Sequence, residues 1–220
     1  MDKESDQEAA SLTAILAYAI IASTILSTWE YDRIIRNFDQ SLRSGTITSD
    51  LMRPIYHPLY LFLLSAGQHF GKTAVLSVPV CACALLLSGA LPEVGISIVV
   101  FLILYLVSIC IAFLLNIIFA FLTTVGFSAL SCEWVLRGLL QLLSGSLVPL
   151  WFFPQTVQNF AAYLPFAWVT YYPASIYAGT MSASKGVGFF AGGVFWILAL
   201  GAIAAVWWNA ILRRTVAGGG

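Results

Sequence analysis

Of the 220 residues, 60% are hydrophobic and only 9% charged, with 10 Lys and Arg balanced by 10 Asp and Glu. Ordinary soluble domains carry roughly a quarter charged residues, and at a mean hydropathy of +0.91 no soluble fold hides this much apolar surface. The charges also cluster, leaving uncharged runs at Ala9 to Trp29, Thr73 to Pro92, Val94 to Cys132, Gly138 to Ser184 and Gly186 to Leu212.

A helix needs ~20 apolar residues to cross a ~30 Å hydrocarbon core, so each run has room for a span. Lipid admits only helices or closed barrels, because every backbone N–H and C=O must be satisfied internally. The runs lack the alternation of a barrel strand, which predicts an all-α polytopic membrane protein of about five transmembrane helices. The acidic start, with Asp2, Glu4, Asp6 and Glu8 against Lys3, is unlike a basic signal-peptide opening, so the first run is expected to be a retained span.

In chain order, a first span of about 9–29 leads into a charged arm of about 30–72. There Arg33, Arg36, Arg43, Arg53 and Lys72 outnumber Glu30, Asp32, Asp39 and Asp50. The excess of Lys and Arg places this arm on the inner side, with the amino terminus outside and the carboxyl terminus inside. Within the arm, Ile34, Ile35, Phe38 and Leu42 recur at three- and four-residue spacing opposite Arg33, Arg36 and Asp39, which predicts an amphipathic helix from Tyr31 to Leu42. Pro54 and Pro58 then read as breaks, making the following piece bent and interfacial.

Later spans are expected at about 73–91, 95–124, 131–151 and 187–212. Before the last comes 152–179, rich in proline and aromatic residues, which reads as short helices dipping into the outer leaflet and returning. Trp207, Trp208, Arg213 and Arg214 serve as inner anchors.

Few side chains carry chemistry. Cys81, Cys83, Cys110 and Cys132 lie in or beside apolar runs without metal-ligand spacing and read as packing residues. Neither His57 nor His69 has a second ligand at matching spacing. Ala66 to Thr73 fits a permissive phosphate-loop pattern, but it lacks the preceding strand and the strand-borne acid that such a loop requires. Ser144, Gly145 and Ser146 have no following histidine to act as base. Asn116 and Gln141 are the in-span amides able to line a pathway, although amides in such positions commonly bond to a neighbouring helix. No ionisable group lies at mid-membrane depth, which argues against a self-powered pump.

Five segments in order, Ser44-Gly-Thr-Ile-Thr-Ser-Asp-Leu-Met-Arg53-Pro54-Ile, Leu143-Ser-Gly-Ser-Leu-Val-Pro-Leu-Trp-Phe-Phe-Pro154, Leu164-Pro-Phe, Tyr172-Pro-Ala-Ser-Ile-Tyr-Ala-Gly179 and Arg213-Arg-Thr-Val-Ala-Gly-Gly, resemble the permease subunits of type 2 ABC exporters. Within that family the sequence is most similar to the bacterial group allied to daunorubicin-resistance permeases, and it opens at what resembles their second span. The resemblance implies a multi-pass permease of the bacterial cytoplasmic membrane, active in multidrug efflux, that pairs with a second permease subunit as a homodimer or heterodimer. It further implies two separate ABC ATPase subunits that bind the ATP and Mg, so that this chain holds no cofactor and is no enzyme. Lipid is its other partner, and nucleic acid is not one. The same resemblance assigns ATPase coupling to Arg33, Arg36, Asp39, Arg43, Gly45, Asp50, Arg53 and Pro54, and an external gate to Pro149, Phe153, Pro154, Pro165, Tyr172 and Pro173. An energy-independent channel or structural membrane subunit is the alternative that the composition alone allows.

Overall fold

A computed structural model describes residues 2–46, 56–88 and 95–218. Within them every regular element is helical. Helices α1 (Asp2–Thr28) and α2 (Tyr31–Arg43) are separated by a break at Trp29 and Glu30, and α3 (His57–Ser88) and α4 (Ile96–Leu122) follow. A 3-10 turn at Thr123–Val125 leads to α5 (Ala129–Leu143), and another at Leu150–Phe152 to α6 (Gln155–Tyr163), α7 (Phe166–Val169), α8 (Tyr171–Tyr177) and α9 (Ala183–Gly218).

Among the described residues three helical stretches are long and apolar enough to cross a membrane: Thr13–Arg43, Ile96–Val125 and Ala183–Arg213. The first comprises both α1 and α2. Its apolar half is α1, whereas α2 is amphipathic and is read as lying beyond the span.

Helix α4 is the axis of the molecule. It is apolar on every side and packs against α9, α8, α7, α2, α5 and α3, burying Leu104, Ile111, Ile117, Ala120 and Phe121 almost completely. Thr123 Oγ1 donates to Ala120 O at 2.7 Å and Thr124 Oγ1 to Phe121 O at 2.7 Å, satisfying carbonyls that a helix end leaves without partners. Gly126, at φ 104°, turns the chain into α5, where the Ser128 hydroxyl caps the new helix by accepting from the Ser131 N–H at 3.0 Å.

Two elements differ from the sequence expectation. The bent interfacial piece predicted before residue 73 is instead the first half of one continuous helix, α3. Pro58 sits in its first turn, where a missing N–H costs nothing and the proline φ suits a helix start. Helix α5 is 15 residues long, about 22 Å at 1.5 Å per residue, and so falls short of the span expected over 131–151. Ser144 and Gly145, the latter at φ +72°, end it early, and Pro149 opens the next turn.

Helices α6 to α8 are strapped across α4 and α9 by hydrogen bonds from buried or partly buried side chains. Ser108 Oγ donates to Val169 O at 2.5 Å, Trp168 Nε1 to Phe189 O at 2.8 Å and Trp196 Nε1 to Tyr163 O at 3.1 Å. A Cβ on Gly193 would lie 2.5 Å from Val107 Cγ1 and 2.9 Å from Trp168 Cδ1, so only glycine lets α9 approach this closely.

Candidate functional site

Helix α2 shows two faces. Tyr31, Ile34, Ile35 and Phe38 are buried, and the Phe38 ring packs 5.3 Å from Phe121 at the end of α4. Arg33, Arg36, Asn37, Gln40 and Arg43 lie exposed on the other side. Gly45, at φ +73°, closes the helix, a conformation that costs an L side chain roughly 1 kcal/mol and glycine nothing.

The charges of α2 are arranged in two ways. Arg33 pairs with Glu30 at 2.9 Å and Arg43 with Asp39 at 2.8 Å, both local, exposed pairs worth little to stability. Arg36 instead reaches another helix. Its Nε and Nη2 donate to the two carboxylate oxygens of Glu133 on α5, each at 3.0 Å, while Asp32 lies 3.6 Å away on the other side. Glu133 is 4% exposed and takes a further contact of 3.5 Å from Arg137. A buried carboxylate gripped by both arms of a guanidinium is the strong form of an ion pair.

The elbow between α1 and α2 is pinned as well. Glu30 pairs with Lys72 of α3, and the hydrogen bonds from Lys72 and then Arg33 lower the Glu30 carboxyl below its ordinary range. Trp29 packs edge-on against His69 with ring centroids 5.0 Å apart, and His69 Nε2 lies 2.8 Å from the Tyr105 hydroxyl of α4. The residues that resembled a phosphate loop, Ala66 to Thr73, run through the middle of α3, so their backbone N–H groups belong to a helix and Lys72 faces Glu30.

The other assigned residues divide. Asp50, Arg53 and Pro54 lie outside the described residues. Asn116 is fully buried and donates from Nδ2 to Ala112 O of its own helix at 3.0 Å, while Gln141 is half-buried on α5. Of the gate candidates, Pro149, Phe153 and Pro154 form the turn between α5 and α6, with Pro154 exposed. Pro165, Tyr172 and Pro173 are packed inside. Tyr172 donates to Ala162 O at 2.9 Å and stacks on Phe189 with centroids 4.1 Å apart.

Sequence reasoning missed Glu133. The available signal was a glutamate inside an apolar helix, a residue type almost never buried without a partner. That partner lies 97 positions away.

The family model described as ABC-2 family transporter protein matches residues 7–219. The chain belongs to the ABC-2 family. It is therefore a membrane permease component of an ABC transporter, a part that carries out transport and is not itself catalytic. No curated protein and no solved structure matched the chain.

Proposed function

We propose that this permease forms half of the translocation pathway of an ATP-driven exporter in the bacterial cytoplasmic membrane. It pairs with a second permease subunit and is driven by two ABC ATPase subunits, which bind the ATP and Mg. The arm between α1 and α3 lies inside, and the segment from Phe152 to Gly179 caps the outer exit. The ATPase grips the exposed face of α2 and the residues after it, with Arg33, Asp39, Arg43 and Gly45 setting the register.

One observation carries this reading: in a family of ABC permeases, α2 buries its apolar side against its own bundle and leaves a row of polar and charged groups uncovered. Charged groups of this kind orient a partner and exclude wrong ones. The test is tandem purification of the tagged chain from detergent-solubilised native membranes, with the bound proteins identified and assayed for ATP hydrolysis. An ABC ATPase in equal copy number supports the reading. A chain that purifies without one and conducts ions passively in vesicles overturns it.

A further inference from the structure

We infer that the Arg36–Glu133 pair is the tie through which α2 passes its movement to α5, making α5 the helix that answers the ATPase. This rests on the proposed function and adds a route within the permease.

The other ion pairs of α2 do not reach α5: Arg43 pairs with Asp39 on its own helix, and Arg33 with Glu30, whose carboxylate also takes Lys72 of α3. Packing of Ile35 and Phe38 against the bundle also joins α2 to its neighbours, but it is non-directional and sets no single register. A guanidinium fork on a carboxylate has fixed geometry in two directions and resists sliding and rotation alike. Among the described residues this is the ion pair that joins α2 itself to another helix, and it grips α5 within its first two turns.

The far end of α5 stops at a glycine packed among Tyr18, Leu150 and Tyr171. Gly145, at φ +72°, is the joint there, and its carbonyl is held by the Tyr18 hydroxyl of α1 at 2.7 Å. Leu150–Phe152 and α6 follow directly, with the Trp151 ring 4.7 Å from Tyr18. Held at one end by a fork and at the other by a glycine, α5 works as a short lever between the arm and the proline-rich segment.

The experiment uses the complete complex with its ATPase in proteoliposomes, a background in which Cys81, Cys83, Cys110 and Cys132 are alanine, and a reporter cysteine at the exposed position 155. Labelling by a membrane-impermeant maleimide is timed with and without Mg-ATP plus vanadate. The parent changes its labelling rate on vanadate trapping. Glu133→Gln binds the ATPase and loses that change, Arg36→Gln loses it as well, and the double variant is no worse than either single one, the sign of a shared interaction. Arg137→Gln keeps the change, since Arg137 touches the same carboxylate from within α5. An Arg36→Gln complex that responds like the parent overturns the inference. So does a Glu133→Gln complex that fails to assemble, because the pair then serves folding alone. A parent complex that does not respond at all sinks the exporter reading itself, and the lever with it.

Discussion

Arg36 and Glu133, 97 positions apart, meet through two hydrogen bonds of 3.0 Å, one partner half exposed and the other buried. That asymmetry sets an order of costs. Removing Arg36 strands a buried carboxylate with only the longer contact to Arg137, whereas removing the charge of Glu133 leaves a guanidinium that water can reach. Arg36→Ala should destabilise the detergent-solubilised chain by about 2 kcal/mol and Glu133→Gln by about 1 kcal/mol or less. Thermal unfolding of the two variants checks the order, and a larger loss in Glu133→Gln would contradict it.

The contact of α9 with α4 gives a second prediction. Gly193→Ala pushes a methyl group into Val107 and Trp168 and should cost about 1–3 kcal/mol by overpacking. Gly201 on the same helix has open space around its Cβ position, so Gly201→Ala should be neutral or slightly stabilising. Melting temperatures of the two alanine variants, one lowered and one not, decide the matter.

Glu30 makes stability depend on pH. Its carboxyl is lowered from an ordinary value of 4.5, first by the Lys72 hydrogen bond and then by Arg33. A group whose folded value is depressed adds stability that is complete above its unfolded value and is lost as pH falls through the folded one. The parent's melting temperature should therefore fall more than that of Lys72→Met between about pH 6 and about pH 3. Carboxylates elsewhere titrate in both chains, so the difference isolates this pair. Parallel curves would show that Lys72 does not hold Glu30.

Much of this architecture follows from local pattern. The spacing of Ile34, Ile35 and Phe38 gives α2 and its buried face to within one residue of the observed end, and the unbroken apolar run after Val94 gives α4. What escapes is whatever depends on position within an element or on distant chain. Pro58 reads as a breaker until it is seen in a first turn, where helices accept it. Arg36 reads as one of several outward charges, because nothing near it in sequence announces Glu133. Tyr172 and Pro173 carry the composition of an interfacial turn, yet α8 packs them against α4 and α9. Period and composition fix a helix and its sides; the pairing between helices is settled by three-dimensional packing that no window of residues contains.

The most direct test of the account is the ATPase contact on the uncovered side of α2. Arg33 and Arg43 are exposed cations of that side at 52% and 69% side-chain exposure, and neither bonds Glu133, so reversing both to Glu leaves the link from Arg36 to Glu133 in place. Co-purification of the Arg33→Glu, Arg43→Glu chain with its ATPase should be abolished, together with permease-stimulated ATP hydrolysis, while membrane insertion and thermal stability stay at parental levels. A double variant that binds and stimulates the ATPase like the parent would place the coupling contact elsewhere and contradict the account.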